Sequence, residues 1–313
     1  MSSIVDDIRY GFIRRHGALG QIIAINTGLF VLTLLLNLGF YLSGLTGQGI
    51  RFEILLRNWV GLPSEGRVAL ERAWTLFTYQ WFHSLGDLFH LLFNMLWLFW
   101  IGRLLREYQG DRKVWSVFWL GSIGAGLFFL LLENTVPVFR AEVANARALG
   151  GMSLIGASGG VTAVIVATAT LLPEYGIGLL LFGVVRLKWL ALIMVALDVL
   201  FLPAGNAGGR LAHLGGALYG FLFITYLKRG VNLAAPYDWL IDTAKELLSP
   251  GPPKPKVRVV KNPNAGKGGT QRAAGAAPKP SQEEVDRILE KINRVGYDGL
   301  TKEEKQTLFN ASR

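Results

Sequence analysis

A histidine at 90 with an asparagine at 94, a serine at 158 inside Gly156-Ala157-Ser158-Gly159-Gly160, and a histidine at 213 all fall within long apolar runs of this chain. Polar and ionisable groups are costly to keep in such surroundings, so chemistry is sought there first. A serine hydroxyl becomes a nucleophile only when a base takes its proton, and imidazole is the base suited to neutral pH. Ser158 and His213 are therefore the candidate nucleophile and base. Attack on a peptide carbonyl builds negative charge on oxygen, which preorganised donors must meet. His90 and Asn94 are four residues apart, hence on one helix face, and can both aim donors at that oxygen. The backbone N–H of Ser158, at or near a helix start, adds a third.

Each of these residues also has a plainer reading. A Gly-x-Ser-Gly in an apolar span is more often small-residue packing between helices, and a lone His or Asn there is commonly an interhelical hydrogen-bond partner. Gly156 and Gly159 let backbone approach backbone, and Gly215, Gly216 and Gly220 form a close-packing face that brings His213 toward Ser158. Asp198 reads as a structural hydrogen-bonding group, and His83 as an interfacial neighbour of Trp81. No acidic residue is expected at the depth of His213, so the pattern predicts a dyad rather than a triad. The absence of cysteine excludes thiol catalysis, disulfides and thiolate metal sites. The chemistry calls for no metal and no cofactor.

The elements that must position these groups are membrane helices. Of 313 residues, 51% are hydrophobic and 17% charged, a balance that points to a membrane protein. A hydrocarbon crossing needs roughly 20 apolar residues at helical rise. Six stretches qualify: Ile22 to Leu42, about Leu88 to Leu105, Val114 to Leu132, Met152 to Leu172, about Lys188 to Leu202, and Leu211 to Leu227. The fifth is the shortest, and the apolar run from Ile177 to Val185 before it is expected to dip into the interface. Even-numbered spans run in one direction, so His90, Ser158 and His213, each near the start of such a span, fall at similar depth on one side. With Met152 as the start of the fourth span, Ser158 lies roughly 9 Å below its end.

The net charge of +10 reads as basic flanks of membrane helices rather than as a nucleic-acid surface. An N-terminus on the inner side leaves eleven Lys or Arg inside against seven outside, so both termini are expected in the cytoplasm and the site on the opposite face. The first twenty residues lack the short apolar core of a removable signal peptide, and the first span is expected to act as its own targeting signal. From Ser249 to Pro280 the chain is rich in Pro, Gly and Ala, with seven basic and no acidic residues, which reads as a flexible linker drawn to an anionic leaflet. Ser281 with Glu284, and Thr301 with Glu304, then open two short amphipathic helices. The chain therefore divides into an inner N-terminal segment (1–21), a membrane core (22–228), a membrane-proximal segment and linker (229–280) and a helical tail module (281–313) whose partner is unknown.

Taken together, the residues resemble the rhomboid intramembrane proteases. The resemblance rests on Phe82-His83 followed by His90-Leu91-Leu92-Phe93-Asn94, on Gly156-Ala157-Ser158-Gly159, and on Ala212-His213-Leu214-Gly215-Gly216 with Gly220; it covers about residues 20 to 228. It implies an all-α polytopic membrane protein, a rhomboid-like bundle of six transmembrane helices with a small helical C-terminal tail. It also implies a serine endopeptidase with a Ser158 and His213 dyad and an oxyanion site from His90, Asn94 and the Ser158 amide. The implied substrates are transmembrane proteins with a helix-destabilising segment, entering laterally from the bilayer near spans two and five. The tail resembles a helical module that follows the core in some bacterial relatives, which implies a bacterial inner membrane.

Three positions depart from the family pattern. Trp74 is followed by Thr75 where a Trp-Arg pair is usual, which alters the anchoring of the first outer loop. Thr162 stands where many relatives carry a ring that stacks on the base, leaving the orientation of His213 less fixed. Ala163 stands where Gly is frequent, a difference of one methyl. The alternative from another class is a non-catalytic rhomboid-like protein that binds membrane clients; such relatives typically lose Ser or His, and both are kept here. A small transporter would show internal repeats and matched broken helices, and the sequence has neither.

Overall fold

The computed structural model describes residues 11–45, 51–147, 151–179, 183–248, 281–295 and 299–311. The linker from 249 to 280 lies outside them. The chain forms two compact units, one through residue 250 and one beyond it.

The first unit is helical. Helix α1 (Arg14–Leu42) is followed by the short α2 (Phe52–Val60), the two-residue strand β1 (Leu62–Pro63), and the brief turns α3 (Gly66–Glu71) and α4 (Thr75–Thr78). Helix α5 (Leu88–Thr135) leaves helical geometry at Gly110 (φ 77°, ψ 170°) and so consists of two arms. After α6 (Pro137–Arg147) and strand β2 (Ser153–Leu154) come α7 (Ser158–Leu171), the hairpin β3 (Gly176–Leu179) with β4 (Gly183–Arg186), α8 (Leu187–Leu200), α9 (Ala207–Lys228) and α10 (Ala235–Leu248). By length and composition, two helices among the described residues, the first and the kinked α5, are long and apolar enough to cross a membrane.

Helix α7 is the centre of the bundle. Every residue from 159 to 169 is buried, because the helix is made of Gly, Ala, Thr, Val and Ile and is walled in on all sides. Along α7, Gly156 faces His90 and, two turns on, Val164 faces Gly102, so the first arm of α5 runs parallel to it. The second arm runs the other way, with Ala125 against Gly159 and Gly121 against Ala163. Helix α9 runs parallel to α7, with Gly216 against Gly159 and Gly220 against Ala163.

The contact between α7 and α9 is backbone on backbone. A Cβ on Gly216 would lie 2.1 Å from the carbonyl oxygen of Gly159, and one on Gly220 would lie 2.2 Å from that of Ala163. Only hydrogen fits at either position. The same crowding disposes of the Ala163 departure: its methyl faces Gly121, where a second Cβ would stand 2.3 Å away, so the neighbouring helix supplies the room.

Two sequence-based expectations are corrected. Residues 152–157 do not continue α7 toward the membrane surface; Leu154 and Ser153 pair with Leu62 and Pro63 in a two-stranded antiparallel ladder, so Ser158 is the first residue of its helix rather than lying six residues inside it. The interfacial dip before α8 is a β-hairpin that pairs Gly176 with Arg186 and Ile177 with Val185. Pairing satisfies the backbone polar groups of a strand that a dipping loop would leave open. Helix α10, which the sequence reading left in an irregular segment, is held by Arg112 and Lys113 to Asp238, with Arg112 also on Asp242.

The second unit contains α11 (Gln282–Val295) and α12 (Lys302–Ala311). The Ser281 hydroxyl accepts the Glu284 N–H at 3.3 Å. At α12 the capping is reciprocal, with Thr301 Oγ1 accepting from Glu304 N–H and Glu304 Oε2 accepting from Thr301 N–H. Lys291 reaches Glu304 between the two helices at 2.7 Å, and Ile288 and Leu300 are buried.

Candidate active site

Ser158 opens a helix of 14 residues. At helical rise that is roughly 21 Å, short of a hydrocarbon layer of roughly 30 Å. Gly159 faces Gly216, well inside α9, and Ala125, well before the end of α5, so Ser158 sits below the ends of these two helices. Its backbone N–H also belongs to the first turn, whose amides have no intrahelical acceptor and carry the positive end of the helix dipole.

The segment leading to Ser158 is tied down by the chain before α5. Gly156 donates its N–H to the carbonyl of Tyr79 at 3.0 Å, and the buried Tyr79 donates its hydroxyl to the carbonyl of Ser122. Ala157 donates its N–H to His83 Nε2 at 3.4 Å. His83, read from the sequence as an interfacial neighbour of Trp81, is thus a buried support of the serine loop, 1% exposed. The hydrogen bond requires a lone pair on Nε2, which assigns the proton to Nδ1.

A cavity of about 520 Å³ is lined by Ser158, His213, His90, Asp87 and the loop around Leu154, and is closed on another side by Leu202 and Pro203 between α8 and α9. His90 is set by its helix start, where Asp87 accepts its N–H at 2.9 Å. Gly156, at φ 132°, keeps the wall thin, since a Cβ there would come within 3.5 Å of His90 Nε2. Asn94, one turn further along α5, is buried and does not line the cavity; its Nδ2 has no hydrogen-bond partner. An unpaired buried donor costs about 1–3 kcal/mol. Gly159, Gly216 and Gly220 stand in the contact of α7 with α9 and act by letting that contact close.

His213 is held from the side away from the cavity. Its Nδ1 lies 3.1 Å from both carboxylate oxygens of Asp198 on α8, and Arg210 approaches the same carboxylate at 3.5 Å. Its Nε2 is buried without a partner. There is no direct hydrogen bond between that nitrogen and the Ser158 hydroxyl; such bonds are commonly long before substrate binds and tighten in the reacting complex.

The profile of the Rhomboid domain family matches residues 70–230, a segment that contains Ser158, His213, His90, Asn94, His83 and Asp198. The chain belongs to the rhomboid family. Over 225 residues it is 27% identical to RHOMBOID-like protein 12, mitochondrial, of Arabidopsis thaliana, an alignment that covers 70% of this chain and 61% of that relative. Residues 278–313, the tail helices, match a family of unknown function, DUF6576.

Within this rhomboid, two departures from the family pattern have local answers. The segment between α1 and α5 is anchored through Arg72, whose guanidinium donates to the Asn58 carbonyl at 2.8 Å, and through Trp74, whose indole donates to the Trp59 carbonyl at 2.9 Å. Thr75 turns inward and donates to the Arg72 carbonyl. Thr162 brings no ring to His213, and Asp198 grips the imidazole instead. The expectation that no acidic residue stands near His213 is therefore wrong. A signal was present: Asp198 and His213 lie equally far from the turn at Gly205 and Asn206, whose positive φ values reverse the chain, so an α8–α9 hairpin must bring them to one level.

Proposed function

We propose that this rhomboid is an intramembrane serine endopeptidase in which Ser158 attacks a peptide carbonyl and His213 serves as its base. The observation that carries the reading is the buried, unpartnered Nε2 of His213 on the cavity that Ser158 also lines. In the first step the Oγ–H proton moves to Nε2 as the Oγ–C bond forms. The tetrahedral oxyanion is met by the Ser158 N–H at the head of α7, by His90 and by the Asn94 amide. The proton on Nε2 then passes to the leaving amine as the C–N bond breaks, and water releases the acyl group by the reverse sequence.

The substrates in this reading are transmembrane segments of other proteins. Water and an extended chain must reach a site recessed below the ends of the longer helices, which suits a segment that unwinds easily. The basic flanks of the inner segments support an orientation with both termini in the cytoplasm, in a bacterial inner membrane. No cofactor takes part.

The test is cleavage of a transmembrane substrate reconstituted with the purified protein, together with labelling by a fluorophosphonate. Ser158→Ala and His213→Ala are each expected to lose cleavage, and Ser158→Ala to lose labelling, with unchanged elution and melting behaviour. Cleavage at the wild-type rate in either variant would overturn the assignment, and neither cleavage nor labelling by the wild type would favour a client-binding role.

A further inference from the structure

We propose that Asp198 is the positioning residue of His213, so that the base of this site is a carboxylate-held imidazole and not a free one. The inference rests on the proposed Ser158 and His213 chemistry and adds a third member to it.

The geometry fixes the tautomer. An ionised carboxylate only accepts hydrogen bonds, so a ring nitrogen 3.1 Å from both Asp198 oxygens must carry the proton. That leaves the lone pair on Nε2, which is buried without a partner on a residue that lines the cavity. Without the carboxylate either nitrogen can hold the proton and the ring can turn about its Cα–Cβ and Cβ–Cγ bonds, and in most of those arrangements no base faces Ser158.

Asp198 is itself held in place. Its side chain is 13% exposed, and Arg210, one turn before His213 on α9, approaches it at 3.5 Å. The Arg210 guanidinium lies over the Phe201 ring at 5.5 Å, at the C-terminal end of α8. One arginine thus holds together the end of α8 and the carboxylate that α8 carries. When Nε2 takes the serine proton, the ring becomes an imidazolium with a carboxylate on its other nitrogen. The proton stays on the ring, and Asp198 stabilises that charge without accepting it. The same contact fills the role left open by Thr162, which has no ring to stack on the base.

The experiment is steady-state cleavage of the reconstituted substrate by the full-length protein with Asp198→Asn, which keeps shape and offers an N–H where the ring needs an acceptor. A fall in kcat of about a hundredfold or more is expected, with KM changed less than about threefold and Ser158 still labelled, but slowly. Asp198→Glu and Asp198→Gln form a second pair that differs only in charge, and Glu is expected to exceed Gln at least tenfold, so the conclusion does not depend on the Asn variant folding. Equal kcat for wild type and Asn, or for Glu and Gln, would reduce Asp198 to a packing residue. Those outcomes leave the dyad standing if Ser158→Ala is inactive; cleavage by Ser158→Ala removes both.

Discussion

Asn94 shows how little of a polar residue's duty can be seen in its own contacts. Its amide nitrogen is buried and unpaired, an arrangement that a packing role would not maintain, since replacing the side chain by an apolar one would remove the cost. With that amide spent on the oxyanion, Asn94→Ala should lower kcat by roughly a hundredfold or more while leaving melting unchanged or slightly raised, because an oxyanion donor is worth about 2.7–4 kcal/mol in the transition state. Steady-state cleavage alongside a melting curve in detergent checks both halves; loss of stability with normal kcat would make it a structural amide. Residue type and spacing singled out Ser158, His213 and His90, which line one cavity, and Asn94, which is buried and does not line it. His83 and Asp198 were misjudged because their significance depends on partners far away in sequence, the Ala157 amide for one and the His213 ring across a helical hairpin for the other.

The elements divide by how they are held. Apolar length located α1, both arms of α5, α7, α8 and α9, and the capping pairs Ser281 with Glu284 and Thr301 with Glu304 located the tail helices. Helix α10 escaped because its hold is not a run of apolar residues but a set of ion pairs from Arg112 and Lys113, just past the Gly110 break. Partial burial pushes the Asp238 carboxyl up, yet hydrogen bonds from Asn232, Arg112 and Lys113 outweigh it and leave the group at about 2. A carboxyl whose folded value lies below its unfolded value of about 3.9 contributes stability that is complete above that value and is lost as pH falls through the lower one. Protease nicking of α10 should therefore be flat from pH 7 to about 4.5 for the wild type, and Asp238→Asn should be nicked faster throughout that range. Equal protection of the two proteins would show that the clamp does not hold the helix.

For the whole molecule, every group of the proposed mechanism belongs to the unit that ends by residue 250, and α11 with α12 has its own capping boxes, salt bridge and buried Ile288 and Leu300. Deleting residues 249–313 should leave kcat in detergent within about twofold of the full chain, because a separate unit adds no group to the transition state; loss of turnover in the truncated protein would assign the tail to the fold of the site. The bundle could be anticipated from the sequence because apolar runs of membrane length have few alternatives. The depth of Ser158 could not, because the pairing of Leu154 with Leu62 sets where α7 begins, and two-residue strands leave no periodic trace. Hydroxyl and imidazole are mounted on α7 and α9, which touch backbone to backbone and have no slack to slide. The carboxylate rides on α8, where only Leu187 and Ala191 are buried. In the proposed mechanism an outward swing of α8 would part the wall at Leu202 and Pro203 and, in the same stroke, carry Asp198 off the ring, leaving the base unaimed until α8 returns.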